Sequence, residues 1–429
     1  MKETTPTTQP LERVILVAAP LKDLSGAEAR EHLEELGRLT DTAGAEVVGT
    51  LQQRLDSPHP KLYIGEGKAG ELRQLIEQEG ATLIIFDDEL SPAQSKNLED
   101  LLRTRVMDRA ELILDIFATR ARSAEAQMQV ELAQLQYMLP RLKRMWTHLT
   151  RGGGIGFRGP GETQLETDRR MIGRRISELG KKLEVVAQRR ATQRKGRAEE
   201  FRAALVGYTN AGKSSVLRAL SGAEVFVEDR LFATLDPATR AVELEPGARV
   251  LVTDTVGFIR KLPHHLVASF RATLEEVTGA DLLVHVIDAA HERWLEQKQV
   301  VDEVLAELGV GDRPQLLLFN KVDQLTHSEE ESLRARAAAF FEAPAVLSST
   351  IEPDGLAELR AALLEQLRRQ RPEVRVRLPA VDGETLASLY RDGEVLQRSD
   401  DGAVVEVIAR LPLAVLGRLR ARSVSVEPV

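Results

Sequence analysis

The stretch Gly207-Tyr208-Thr209-Asn210-Ala211-Gly212-Lys213-Ser214-Ser215 decides the fold of the largest part of this 429-residue chain. It follows an apolar run at residues 203–206 and precedes an amphipathic segment, which indicates a strand, a loop and a helix in that order. The spacing is that of a phosphate-binding loop. In such a loop the backbone N–H groups surround the phosphates, Lys213 reaches the β and γ oxygens, and the Ser214 hydroxyl binds Mg²⁺.

Two later segments predict the rest of a triphosphate site. Asp254-Thr255-Val256-Gly257 ends an apolar strand, where Asp254 can hold Mg²⁺ through water and the Gly257 N–H can reach the γ-phosphate. Thr234 lies between the two motifs, in a segment that could bring its hydroxyl to the metal only while a γ-phosphate is present; an ordinary surface threonine is the alternative. Lys213, Thr234 and Gly257 are therefore the candidate catalytic residues, and Ser214 and Thr234 the candidate Mg²⁺ ligands.

A fourth motif identifies the base. In Asn320-Lys321-Val322-Asp323 the carboxylate can accept from both N1–H and the exocyclic amine of guanine, a donor pair that adenine does not offer. Ser348-Ser349-Thr350 follows 28 residues after Asn320 and would place a backbone N–H near the guanine carbonyl. GTP and GDP are thus the expected substrate and product.

Alternation of apolar strands and amphipathic helices predicts a multidomain α/β chain. Residues 1–120 should form a small parallel α/β domain, with strands at 14–19, 46–51 and 82–86. Residues 121–198 should form an antiparallel helical hairpin, 199–371 a doubly wound GTPase domain, and 372–429 a small α+β domain. Near Gly65 to Lys68 a second nucleotide site is an alternative to a glycine-rich helix entry, but its spacing is wrong for a phosphate loop.

The hairpin follows from two stripes of apolar residues at heptad spacing. Leu132, Leu135, Leu139 and Leu142 form the first stripe, and Leu165, Ile172, Ile176, Leu179, Leu183 and Val186 form the second. The segment between them is rich in glycine, which is typical either of mobile loops or of loops that hold unusual backbone angles against a ligand.

Charge and composition bound the possible partners. Net charge is −8, yet residues 141–197 hold 16 Lys or Arg against 5 Asp or Glu. A phosphate-rich partner is plausible for that segment, with a solvated charged helix pair as the alternative. The chain has no cysteine, which excludes disulfides and thiolate metal sites. No apolar run approaches the ~20 residues that span a bilayer, so we expect a cytoplasmic protein without stable membrane insertion, peripheral attachment being left open.

The segment Gly159-Pro160-Gly161-Glu162-Thr163-Gln164-Leu165-Glu166, placed just before the nucleotide-site motifs, resembles the HflX family of ribosome-associated GTPases. The resemblance covers most of the chain. Two positions depart from the family pattern: Ala238, where a hydroxyl residue is usual, and Ser349, where alanine is usual.

The resemblance implies binding to the 50S ribosomal subunit and the 70S ribosome, and the GTP-driven splitting of stalled ribosomes under stress. A basic hairpin of ~25 residues per helix would be nearly 40 Å long and could probe a cavity lined by ribosomal RNA. Its candidate RNA contacts are Arg151, Phe157, Arg158, Arg169 and Arg170. A large-subunit assembly GTPase and a nucleotide-gated interaction scaffold are the alternatives, and we expect a monomer when free.

Phe258 follows Gly257 where many signalling GTPases carry a glutamine that orients water, so intrinsic hydrolysis should be slow. Asn210 resembles residues that coordinate K⁺ in related GTPases. The hypothesis is that the ribosome accelerates hydrolysis and that K⁺ assists; a loop-stabilising role is the alternative for Asn210.

Overall fold

The computed structural model describes residues 11–22, 24–145, 160–195, 200–222, 230–262, 271–422 and 424–429. Contacts divide the chain into two compact units. The first comprises residues up to Val185 together with Arg230–Phe232 and Lys261–Phe270. The second comprises Val186–Asp229, Ala233–Arg260 and Arg271–Val429.

The first unit is built on a four-stranded parallel sheet with the order β2-β1-β3-β4. Its strands are β1 (Arg13–Ala18), β2 (Glu46–Gln52), β3 (Leu83–Phe86) and β4 (Arg105–Asp108). Its helices are α1 (Gly26–Thr42), α2 (Glu66–Glu79), α3 (Pro92–Leu102), α4 (Arg109–Arg120), α5 (Ala124–Met145) and the first part of α6 (Pro160–Lys195). β1 and β3 are buried almost throughout, as expected of parallel strands covered on both faces.

Local sequence signals account for where these helices begin. Ser25 caps α1 and Ser91 caps α3, each in a capping box completed three residues later by Glu28 or Gln94. Gly65 is the N-cap of α2. The glycines near residue 65 therefore start a helix, which was the preferred interpretation of that segment.

One strand and one helix of this unit were not predicted. β4 has four residues and α4 follows it directly, with Asp108 capping the helix through the Glu111 N–H. So short a strand carries too few residues for a periodic signal. β4 is the edge strand of the sheet, next to β3, and α4 follows it.

The helices α5 and α6 are joined by an ion pair between Arg175 and Glu131, with contacts of 2.7 and 2.8 Å. The predicted stripe of α6 is buried or half-buried at Ile172, Ile176, Leu179, Leu183 and Val186, and the side chain of Leu165, its first member, lies outside the described part of the structure. In α5 the predicted Leu142 is buried, and four residues that were not predicted are buried as well: Ala126, Val130, Ala133 and Tyr137. The predicted leucines of α5 at 132, 135 and 139 are half-buried. This helix therefore uses two faces, one of which the leucine pattern did not indicate.

The second unit contains a six-stranded sheet with the order β10-β9-β8-β5-β7-β6. Its strands are β5 (Phe201–Gly207), β6 (Ala238–Glu245), β7 (Ala248–Asp254), β8 (Leu282–Asp288), β9 (Gln315–Asn320) and β10 (Ala345–Leu347). Its helices are α7 (Lys213–Ser221), α8 (Arg271–Thr278), α9 (Trp294–Glu307), α10 (His327–Phe340) and α11 (Ala357–Gln370). All neighbouring strands are parallel except β6, which pairs antiparallel with β7. The doubly wound prediction is confirmed, with β6 as an additional edge strand.

The same unit ends in a four-stranded antiparallel sheet with the order β12-β13-β11-β14. The strands are β11 (Glu373–Pro379), β12 (Glu394–Asp400), β13 (Val404–Arg410) and β14 (Ser425–Pro428), and the helices are α12 (Gly383–Asp392) and α13 (Leu413–Ala421). Arg368 of α11 pairs with Glu394 and with Glu245, and Arg371 donates to the Gly247 carbonyl at 2.9 Å. These contacts fasten the carboxy-terminal sheet to the larger one. None of the described helices combines the length with the apolar character that a membrane span requires.

Candidate nucleotide-binding site

The loop from Gly207 to Gly212 lies at the carboxyl edge of the parallel strands, where ligands bind in doubly wound sheets. It leaves β5 and enters α7 at Lys213, with Gly212 as N-cap at φ +97°. A Cβ on Gly212 would lie 2.2 Å from Asn320 Nδ2, so both the backbone angle and the close approach require glycine. The side-chain amide of Asn320 donates to the Ala211 carbonyl at 3.0 Å and ties the loop to β9.

Lys213 is buried and points back along its own loop. Its Nζ donates to the carbonyls of Tyr208, at 2.8 Å, and Gly207, at 3.1 Å. Burial lowers the pKa of Lys213 to about 8, although Asp254 acts in the opposite direction. An anion arriving at this loop would stabilise the charged form of the lysine.

Three oxygen-bearing side chains converge on one point beside the loop. Asp254 Oδ2 accepts from Ser214 Oγ at 2.6 Å and from Thr234 Oγ1 at 2.9 Å, and the two hydroxyl oxygens are 2.7 Å apart. Burial raises the pKa of Asp254, more than Lys213 and the two hydroxyls lower it. Side chains 20 and 40 residues along the chain from Ser214 thus come together beside it, as the predicted Mg²⁺ site would require.

These groups fit a magnesium site by the chemistry of their donors. Asp254 Oδ1 is buried and has no hydrogen-bond partner among the described residues, so the carboxylate has a coordination position to spare. Hydroxyl and carboxylate oxygens are the ligands that Mg²⁺ prefers. Ser214 and Thr234 are the direct ligands that this arrangement offers, with Asp254 beside them.

Gly257 lies against both the loop and Lys213. A Cβ on Gly257 would lie 2.8 Å from Thr209 Cα and 3.0 Å from Lys213 Nζ. The next residue is fixed by the backbone: Phe258 N–H donates to the Gly207 carbonyl at 3.1 Å, and Thr209 N–H donates to the Phe258 carbonyl at 2.8 Å. The side chain of Phe258 is 1% exposed, so it packs inside the protein and offers nothing to a water molecule.

The base-recognition residues meet at the ends of β9 and β10. Ser348 Oγ donates to Asn320 Oδ1 at 3.3 Å, and Lys321 donates to Asp288 at 2.7 Å. Ser349 Oγ donates to Asp323 Oδ1 at 2.6 Å and accepts from the N–H groups of Ile351 and Glu352. The serine that departs from the family pattern therefore orients the carboxylate expected to bind guanine.

The side chains of some predicted site residues make contacts within the protein. The Thr255 hydroxyl donates to the Leu205 carbonyl at 2.7 Å, and Val256 is buried. The Tyr208 hydroxyl accepts from the Arg260 N–H at 3.0 Å. Asn210 holds a left-handed backbone at φ +63°, and Ser215 lies in the first turn of α7. Neither Asp288 nor the Tyr208–Arg260 contact was predicted, because neither carries a local sequence signal.

The candidate RNA contacts divide into two groups. Arg169 and Arg170 are exposed on α6. Arg151, Phe157 and Arg158 lie outside the described residues.

Comparison with known proteins matches three family models along the chain. They are described as "GTP-binding GTPase N-terminal" at residues 30–118, "GTP-binding GTPase Middle Region" at 120–197 and "50S ribosome-binding GTPase" at 202–321. The GTPase HflX of Caldanaerobacter subterraneus subsp. tengcongensis is 45% identical over 95% of this chain and 93% of its own length. The GTPase HflX of Escherichia coli (strain K12) is 43% identical over 91% of this chain and 92% of its own.

The chain belongs to the HflX family of GTPases.

It is accordingly a GTP-hydrolysing enzyme of a ribosome-associated family, as the sequence motifs indicated. A solved GTP-binding protein from Sulfolobus solfataricus, in complex with GDP, is 25% identical over 84% of this chain and 99% of its own, with a TM-score of 0.45. Ala238, the other departure from the HflX pattern, begins β6 and pairs with Asp254 across the ladder.

Proposed function

We propose that this HflX-family GTPase binds the 50S subunit in its GTP-bound state and separates stalled or idle 70S ribosomes under stress. The observation that carries the proposal is the meeting of Ser214, Thr234 and Asp254, because a hydroxyl 20 residues along the chain from Ser214 joins the phosphate-loop serine and the strand-end carboxylate. The cytoplasm is the proposed compartment, and the free protein is proposed to be a monomer.

The residues of this chain would divide the work on GTP as follows. The N–H groups between Gly207 and Ser214 surround the phosphates and Lys213 donates to the β and γ oxygens. Mg²⁺, held by Ser214 and Thr234 with Asp254 beside them, would neutralise phosphate charge when bound. Gly257 N–H donates to the γ-phosphate, and Asp323, oriented by Ser349, selects guanine.

Because Phe258 is buried, another agent must position the attacking water. We assign acceleration to the ribosome and a supporting role to a K⁺ ion near Asn210, where it would neutralise charge that develops between the phosphates. Hydrolysis by the chain with 50S subunits should be several-fold faster in K⁺ than in Na⁺ at equal ionic strength. Equal hydrolysis rates in the two salts would show that K⁺ has no part in the mechanism. Equal rates with and without 50S subunits would show that the ribosome does not accelerate hydrolysis.

RNA binding is assigned to the basic hairpin. The exposed arginines of α6, together with Arg151, Phe157 and Arg158, would contact phosphates and unpaired bases without reading sequence. Electrostatic contacts of this kind weaken as salt rises. Ribosome binding should therefore fall steeply with ionic strength.

Co-sedimentation with 50S subunits tests the proposal. We expect at least ~10-fold tighter binding with a non-hydrolysable GTP analogue than with GDP, and a loss of light scattering when GTP and the protein are added to 70S ribosomes. The double variant Arg169→Glu/Arg170→Glu should weaken 50S binding ~10- to 100-fold. Its matched control, Lys61→Glu/Arg73→Glu, changes the charge equally at two exposed positions of the same unit and should bind as the wild type.

Other results would favour the other functions. Binding confined to precursor particles would indicate an assembly GTPase. Subunit binding that ignores the nucleotide would indicate a scaffold.

A further inference from the structure

The first unit takes in two short segments that flank the nucleotide motifs. Arg230–Phe232 ends two residues before Thr234, and Lys261 follows Gly257 by four residues. Thr234 and Gly257 are the two residues expected to sense a γ-phosphate. Contacts that hold Phe232 and Lys261 in place therefore also restrict the positions of Thr234 and Gly257, through only a few residues of backbone.

Lys261 is held by two adjacent carboxylates at the carboxyl end of β3. Its Nζ donates to Asp87 Oδ2 at 2.5 Å and to Asp88 Oδ1 at 2.6 Å. The Asp87 side chain is 2% exposed and also accepts from Arg109 at 2.8 Å. Lys261 has φ +53°, a conformation that non-glycine residues keep only where their surroundings fix it.

Lys261 and Asp87 stabilise each other's charge, whereas burial and the neighbouring Asp87 carboxylate raise the pKa of Asp88 despite its contact with Lys261. Burial tends to raise the pKa of Asp87, but Arg109 and Lys261 outweigh it and the pKa is lowered. Burial tends to lower the pKa of Lys261, but Asp87 and Asp88 outweigh it and the pKa is raised. The Lys261–Asp87 contact is therefore an ion pair at neutral pH, and the Asp87 carboxylate is almost wholly buried.

Phe232 is fixed in the same unit by a different contact. Its ring packs edge-on against Phe117, with centroids 4.7 Å apart and planes at 80°. Both rings are almost completely buried, and Phe232 also has a positive φ, of +55°. Both sensing residues therefore have an anchored neighbour.

The same structure holds Thr234 and Gly257 where a γ-phosphate would need them. The Thr234 hydroxyl is bonded to Asp254 and lies 2.7 Å from that of Ser214, and Gly257 lies against Lys213 Nζ. GDP has no γ-phosphate, so its affinity does not depend on the positions of Thr234 and Gly257. Any contact that stabilises the arrangement must therefore raise the affinity for GTP relative to GDP.

We infer that Asp87 and Asp88 are positioning residues for the GTPase: by holding Lys261 they stabilise the placement of Gly257 beside Lys213 and so favour GTP over GDP. This inference goes beyond the proposed ribosomal function and does not depend on it. It assigns the amino-terminal unit a part in nucleotide discrimination.

Nucleotide titrations of the full chain, without ribosomes and with Mg²⁺ present, test the inference. In Lys261→Met the Kd for a non-hydrolysable GTP analogue should rise ~5- to 20-fold, while the Kd for GDP should change less than ~2-fold. Asp88→Asn, which alters a less buried partner, should shift the ratio in the same direction. Lys261→Arg keeps the charge and should restore most of the wild-type ratio.

Two comparisons separate positioning from a general loss of structure. Lys22→Met removes another ion pair of the same unit, to Asp56 at 2.8 Å, and should leave both Kd values unchanged. In the double variant Lys261→Met/Asp88→Asn the ratio should be no worse than in Lys261→Met alone, because the two residues act through one contact. Equal weakening of GTP analogue and GDP, or additive effects, would overturn the inference, whatever ribosome binding shows.

Discussion

At the scale of single residues, the site contains charged side chains whose charged forms are destabilised by burial. Lys213 and Asp254 are both buried, and burial shifts each toward its neutral form. Lys213 donates hydrogen bonds to two carbonyls, and Asp254 accepts hydrogen bonds from two hydroxyls. These neutral groups stabilise the two charges less well than a phosphate and a cation would. A magnesium nucleotide would supply both counter-charges at once, so we propose that these residues are preorganised to bind it.

The lowered pKa of Lys213 predicts a pH dependence of nucleotide affinity. In the free protein the pKa is about 8, and phosphate favours the charged form, so it must be higher in the complex. Above pH ~8 binding therefore takes up a proton, and affinity should fall as pH rises, by at most ~10-fold per unit. Calorimetry at pH 8.5 in two buffers of different ionisation enthalpy should reveal this uptake.

A variant without a titrating amine provides the control. Lys213→Arg keeps its charge at this pH, so its remaining affinity should show no buffer-dependent proton uptake. Wild-type heats that are the same in both buffers would contradict the proposed role of the Lys213 charge.

We expect the loss of the Ser349 hydroxyl to weaken the binding of GTP and GDP equally. Removing its hydroxyl in Ser349→Ala takes away the bond to Asp323 and two backbone contacts, which should weaken GTP and GDP binding alike by ~5- to 10-fold. The reason is that the base is the same in both ligands. Ser388→Ala, which removes a hydroxyl bonded to the Thr385 carbonyl, is the control and should bind normally. Fluorescent-nucleotide titration distinguishes the cases, and a loss confined to GTP would be inconsistent with this role.

At the scale of elements, the sequence predicted the parallel strands that carry the site because buried strands are continuous apolar runs with motif residues at their ends. It did not predict β6, most of whose side chains are exposed, or β4, which is only four residues long. Among the buried residues of α5, Leu142 was predicted, whereas Ala126 and Ala133 were missed because alanine contributes little to an apolar pattern. Contacts such as Lys321 with Asp288 depend on strand order and have no local signature.

The hairpin offers a test of element stability. Leu179 of α6 is fully buried, so Leu179→Ala should cost ~2–4 kcal/mol of local stability. Val185→Ala alters a residue of the same helix that is 47% exposed and should cost less than ~0.5 kcal/mol. Hydrogen exchange of the α5 and α6 amides measures both, since a chain of several domains does not unfold in two states. Equal loss of protection would mean that the apolar stripe does not hold the hairpin together.

At the scale of the whole molecule, charge is segregated along the chain. The segment from 141 to 197 carries an excess of 11 positive charges, although the chain as a whole is negative. We propose that this distribution lets the protein bind RNA through the basic segment while the rest of its surface does not attract nucleic acid. It also explains why net charge alone gave no indication of the partner.

We propose that the bound nucleotide sets the affinity for the ribosome through Thr234. The most direct test is the Kd for 50S subunits, measured with a non-hydrolysable GTP analogue and with GDP, in the wild type and in Thr234→Ala. We predict a ratio of at least ~10 in the wild type and of nearly 1 in the variant, because the hydroxyl that reaches Ser214 and Asp254 is lost. A wild-type ratio near 1, or a variant that keeps the full ratio, would contradict the claim.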